Sequence, residues 1–176
     1  MKILLMLLLM SLSLYSYEYD ELLLRAQASM FPKIILLDQQ INLKITDGTV
    51  LLSIIYNDNE AKEANNFKNL MDKEYKEKLG SYKLVIKTVH VDKFSNADNS
   101  SAYFIFDAID KNKKNVVTHA IKNQRICFSY SNKCFANNTL ISLFLKERTY
   151  IYLNKSALSE YKIKFAPIFY KIAKAK

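Results

Sequence analysis

Hydrophobic positions along this chain switch between helical spacing and short, nearly continuous apolar runs, and that alternation sets the expected fold class. Over residues 19–38 the apolar residues Leu22, Leu23, Ala26, Met30, Phe31, Ile34, Ile35 and Leu37 recur three and four apart. This spacing predicts a helix that Pro32 bends or breaks in two. Asp47-Gly48 marks a turn, and residues 49–56 (TVLLSIIY) then read as a strand covered on both faces. Asn57-Asp58-Asn59 supplies capping residues for a helix through about Glu77, with Ala61, Ala64, Phe67, Leu70 and Met71 inward. Gly80 ends that unit, and residues 82–89 form the next strand.

Residues 95–101 are a polar connection, followed by a buried strand over 102–107. A short helix over 114–122 turns Val116, Val117, Ala120 and Ile121 inward, and residues 125–130 form a further strand. Residues 140–146 and 149–153, joined around Glu147-Arg148, predict a hairpin. Asn154 then caps a short helix through Tyr161, and Pro167 sits early in a terminal helix. Strands alternating with helices predict an α/β fold: a three-layer α/β/α sandwich whose mostly parallel, about six-stranded sheet ends in an antiparallel hairpin. No internal repeat or linker divides it, so residues 17–176 are expected to form one domain.

The amino terminus changes where that domain is expected to work. One cation, Lys2, precedes an apolar run of roughly a dozen residues, short of the ~20 needed to span a bilayer. Small residues and the acidic 17–21 segment follow. Residues 1–16 therefore read as a secretory signal peptide cleaved near Ser16. The protein is expected to reach the periplasm and to be soluble there after cleavage.

Composition narrows the chemistry. Half of the 176 residues are hydrophobic and the net charge is +9, which becomes +8 without Lys2, since residues 1–16 hold no acid. Such an excess attracts anionic surfaces, but lysines alternate with acids through 62–87 and read as a solvated face. Export argues against nucleic acid as a partner. Lys111-Asn112-Lys113-Lys114 is the tight basic cluster, expected at a loop or helix start. Two glycines in the whole chain exclude both the dinucleotide fingerprint and the phosphate-binding loop. His90 and His119 lack His or Cys partners at metal-binding spacing and sit in no nucleophile motif. No catalytic, cofactor-binding or metal residue is expected. The acids Asp58/Glu60 and Asp107/Asp110 lie beyond strand ends, where they serve either a site or helix capping. Tyr15, Tyr17 and Tyr19, and Phe165, Phe169 and Tyr170, are the aromatic candidates for core or for a contact patch.

The order of elements resembles the YfiR family of exported regulators, to which the HmsC-like proteins belong. Residues 25–35 (RAQASMFPKII) stand where that family has its opening aromatic-rich helix, without the Trp-Pro that commonly follows. Residues 141–145 (ISLFL) look like its penultimate strand. Residues 150–157 (YIYLNKSA) look like its last strand and the Ile-Asn-x-x-x-Ala start of the next helix. Residues 163–169 (IKFAPIF) stand at its closing hydrophobic helix. The glycine-rich approach to the penultimate strand is replaced here by Phe135-Ala136-Asn137-Asn138-Thr139.

The resemblance implies a non-enzymatic periplasmic regulator that binds and represses the external sensory region of an inner-membrane signalling protein. A diguanylate cyclase is the expected target, which would place the protein in cyclic-di-GMP signalling and biofilm and motility control; a sensor kinase is the other candidate. An outer-membrane peptidoglycan-associated lipoprotein as sequestering partner, and a homodimer, are further implications. The alternative is a periplasmic small-ligand-binding sensory subunit of a histidine kinase or transporter. Cys127 and Cys134 are the two cysteines. In an oxidising compartment they are expected to close a disulfide restricting the unfolded chain by roughly 2–3 kcal/mol. A family disulfide in this region implies the same pairing, and two buried thiols are the other reading.

Overall fold

Strand β1 (Thr49–Tyr56) lies in the middle of the sheet because its residues are apolar on both faces. The computed structural model describes residues 19–107 and 110–176; the expected signal peptide, with Tyr15 and Tyr17, lies outside the described residues. Helix α1 (Glu21–Ile35) precedes β1, and Asp20 caps it by accepting from the Leu22 and Leu23 amides. Pro32 does not break the helix. It is buried within it, and the Tyr75 hydroxyl donates to the Ser29 carbonyl one turn earlier. Between α1 and β1, Asp47 and Gly48 both have positive φ (50° and 67°), a pair of left-handed residues that glycine accepts without strain.

The chain continues through α2 (Ala61–Tyr75), β2 (Lys78–Leu79), β3 (Tyr82–His90), β4 (Ala102–Ile105), α3 (Lys111–Lys122), β5 (Ile126–Ser129), β6 (Ile141–Leu145), β7 (Thr149–Leu153), α4 (Lys155–Tyr161), α5 (Pro167–Ile172) and β8 (Ala173–Ala175). Its eight strands are ordered β2-β3-β1-β4-β5-β6-β7-β8. The five from β3 to β6 are mutually parallel. β7 returns antiparallel on β6, and β8 adds parallel to β7. The three-layer fold is as expected, with two more strands than the six anticipated. β2 and β8 are two and three residues long, too short for any periodicity to announce them.

Alternation along the strands assigns the layers. Phe104 and Phe128 face α1: Phe31 stacks on Phe128 at 4.3 Å, and Phe67 of α2 meets Phe104 at 4.4 Å. Their neighbours face the other way, Tyr103 toward His119 of α3 and Cys127 toward the Tyr161 hydroxyl of α4. α1 and α2 thus cover one face and α3 and α4 the other, while α5 is tied to the end of α1 by the Ala166 amide donating to the Leu37 carbonyl. The crossover from β3 to β4 differs from the rest. Residues 91–101 make it with a single 3-10 turn (Val91–Lys93) and no α-helix, so the outer face of β1 and β3 carries only a loop. Among the described residues, no helix is long and apolar enough to cross a membrane.

Candidate functional site

In a doubly wound sheet the ligand crevice opens beyond the carboxyl ends of two neighbouring strands whose connections leave on opposite faces. Here those strands are β1, which continues into α2, and β4, which continues into α3. The residues at that point come from the two following helical turns. Asn57 and Glu60 form a capping box: the Asn57 amide donates to Glu60 Oε2 at 3.0 Å. Asp110 caps α3 by accepting from the Lys113 amide at 2.9 Å.

These caps aim Glu60 and Lys113 at each other. Lys113 Nζ donates to both Glu60 oxygens, at 2.7 and 2.6 Å, and the two side chains are 0 % and 4 % exposed. The Tyr19 hydroxyl donates to Glu60 Oε1 at 3.2 Å, and its ring lies edge-on to Phe106 and Tyr130, both at 4.7 Å. The Asp20 amide donates to the Tyr130 hydroxyl at 2.8 Å. The crevice is therefore occupied by the chain's own carboxylate, ammonium and three aromatic rings. Burying two charges costs several kcal/mol each, and only a close pair with its remaining oxygen valences filled offsets that. The residues here supply both conditions.

Lys113 belongs to the basic cluster expected at a loop or helix start, and the helix does begin there, at Lys111. Lys113 lies three and four positions before Val116 and Val117, on the inward face of α3, and that spacing was the available signal. The paired acids fulfil separate duties. Asp58 is exposed and approaches His90 Nε2 at 3.1 Å, whereas Glu60 belongs to the buried pair. Asp107 accepts from the Ser131 amide at 3.0 Å, and Asp110 is the cap of α3. His119 is buried, and its Nε2–H donates to the Asp98 carbonyl at 3.0 Å. Phe165 and Phe169 are core, 4.2 Å apart, and Tyr170 is exposed.

Cys127 and Cys134, expected to bridge, stand in the structure as two buried thiols. Their sulfurs have different partners. Cys127 meets Tyr161 in mid-sheet, and Cys134 points at the Asp107 carbonyl and Oδ1, 3.7 and 3.5 Å away. Burial pushes the Cys127 thiol up to about 12. Burial, then the Asp107 carboxylate, pushes Cys134 up as well.

Two of the open surfaces among the described residues bear on function. Beside the helix-free crossover, a groove of about 730 Å³ runs between the 91–96 segment and α3, lined by Asp92, Phe94, Asn96, Asn115, Thr118 and Lys122 among others. The second lies on the hairpin. Phe128 pairs with Ile141 in register and so sends Ile141 toward α1; alternation then puts Ser142 and Phe144 on the opposite face. The pairs Phe144–Tyr150 and Ser142–Tyr152 bring both tyrosines to that face, and Lys174 follows beside Tyr152. Phe144 is 37 % exposed and both tyrosines are partly so. Lys174 Nζ lies 3.9 Å from the Tyr150 ring centre, and the Arg148 guanidinium 5.1 Å from it. Lys176 lies 5.3 Å from Tyr152, and Lys146 5.8 Å from Phe144. A hydrogen bond from Arg148, with its charge and those of Lys174 and Lys146, holds the Tyr150 phenol below its ordinary value. Period-two alternation in Tyr150-Ile151-Tyr152-Leu153 was the signal for this face, and the sequence reading did not draw on it.

No protein-family model matches the chain, and no curated protein matches it. Some solved structures are similar to it. One, from Streptococcus pneumonia, is described as an ABC domain in complex with L-Trp; it is 12% identical, with a TM-score of 0.51 over 82% of this chain and 60% of that one. Another is a conserved domain protein from Vibrio cholerae, 14% identical, with a TM-score of 0.47 over 78% of this chain and 58% of that one. The chain spans about three fifths of the length of each. At that identity the likeness to the ABC domain shows the fold alone.

Proposed function

We propose that this chain is an exported, non-enzymatic regulatory protein that works in the periplasm. It binds the external sensory region of an inner-membrane signalling protein and holds it inactive. The resemblance to the YfiR family makes a diguanylate cyclase the target, with cyclic-di-GMP as the output. The observation that carries the reading is the filled crevice: where this fold would hold a small molecule, Tyr19, Glu60 and Lys113 hold one another. The acids at that edge also serve as caps and ion-pair partners, which favours recognition through the outer surface over chemistry in a cleft. Regulation is then a competition between binding equilibria, and differential affinity for the two states of the target sets the output.

Copurification from periplasm with a membrane sensor tests the reading, together with deletion of the gene. Loss of a repressor should raise cyclic-di-GMP, increase biofilm and reduce motility. Unchanged cyclic-di-GMP in the deletion strain would sink the cyclase version.

A second reading, a small-ligand-binding sensory subunit, draws on the polar groove beside α3 and on the L-Trp complex of the similar ABC domain. A small molecule that raises the melting temperature, with the effect abolished by Asn115→Leu in the groove, would favour it.

A further inference from the structure

We propose that the outer face of the β6–β7–β8 ladder is a docking surface for an extended, acidic segment of a partner protein. This rests on the protein-binding reading above and gives it a place on the molecule. Charge argues for it first. Residues 144–155 and 171–176 contain Lys146, Arg148, Lys155, Lys171, Lys174 and Lys176 against one acidic side chain, Glu147. Four of these cations stand within 6 Å of the three rings, so the charge is gathered onto one face.

Spacing argues for an extended occupant. The Tyr150 and Tyr152 ring centres are 6.5 Å apart, and those of Phe144 and Tyr152 6.4 Å. Side chains on one face of a strand repeat at about 6.8 Å. A partner in strand conformation with a carboxylate at every second residue therefore meets rings and cations in step.

The full chain is titrated with a fluorescent peptide of five Glu-Val repeats. Arg148→Glu combined with Lys174→Glu is expected to weaken binding about tenfold or more, and Lys62→Glu combined with Lys83→Glu, exposed cations elsewhere, to change it less than about twofold. Raising salt from 50 to 200 mM should weaken the wild type, as expected of exposed charges. Circular dichroism confirms that both double variants fold, and Tyr150→Ala with Tyr152→Ala reports the rings without changing charge. Equal losses in the two charge pairs would overturn the proposal. So would tighter binding of decathymidylate or phosphatidylglycerol vesicles than of the peptide. If the hairpin variant still recovers the membrane sensor in wild-type amount, this surface is wrong and the regulatory reading stands. Peptide binding at the hairpin with no sensor recovered by the wild type sinks the regulatory reading and leaves the surface.

Discussion

Lys113 and Glu60, 53 residues apart in sequence, meet at 2.6 Å across the carboxyl ends of β1 and β4, and the Lys113 side chain is fully buried. Each comes from the first turn after its strand, so the pair ties the two halves of the sheet at the point where their connections diverge.

Removing one member leaves the other charge buried without compensation. Lys113→Met is expected to cost ~3–5 kcal/mol in urea unfolding. Adding Glu60→Gln should recover part of that loss, because no lone charge then remains. A Lys113→Met variant as stable as wild type would show that the pair carries no structural weight.

The thiols should be inert in the folded protein. With Cys127 pushed up to about 12 and Cys134 raised too, neither supplies thiolate near neutrality. Iodoacetamide at pH 8 is expected to label neither site in the native state and both in urea without reductant. Failure to label in urea, reversed by a reductant, would mean that the two are bridged.

Asp98 ties the helix-free crossover to the sheet. Burial raises its carboxyl, but hydrogen bonds from Lys87 and from the Ser100 hydroxyl and amide outweigh burial and leave it below its ordinary value of 3.8. A depressed acid binds fewer protons folded than unfolded between the two values. Its contribution is therefore complete above about pH 4 and disappears as pH falls through the lowered folded value. Asp98→Asn should lower stability at neutral pH and flatten its decline below pH 4. An unaltered acid limb would contradict this.

Tyr150 should ionise earlier than an ordinary tyrosine because of Arg148, Lys174 and Lys146. The chain has 12 tyrosines, so the difference spectrum at 295 nm between wild type and Tyr150→Phe isolates this one. Its midpoint should lie below 10, and Arg148→Ala should move it upward. No movement would remove Arg148 from the face.

Phe31 stacks against Phe128 and tilts onto Phe104, with no exposure. Phe31→Ala is expected to cost ~3–5 kcal/mol by opening a cavity between α1 and the sheet. A loss under 1 kcal/mol would mean that the ring is not the central contact described here.

The sequence was most legible where apolar period and burial coincide. β1, α2 and the β6–β7 hairpin match their expected spans within a few residues, because Val50, Phe67 and Ile151 answer to one period each. It was least legible where tertiary contact overrides local preference. Pro32 stays inside α1 because the helix is packed along its length, and Lys113 goes inward because Glu60, far away in sequence, is there to meet it. The cysteines fall between these cases: six intervening residues permit a bridge, while the strand and the 3-10 turn that hold them give the two sulfurs different neighbours.

The loop that carries the chain from β3 to β4 leaves this domain lopsided in thickness. Amides of the central strands near β5 are screened by helices above and below, whereas those of β3 have a helix on one side and a thin flap on the other. Deuterium uptake should therefore be slowest at β5 and rise toward the β3 margin as well as toward the short β8 at the other edge, and breathing motions of the native protein should begin at these margins.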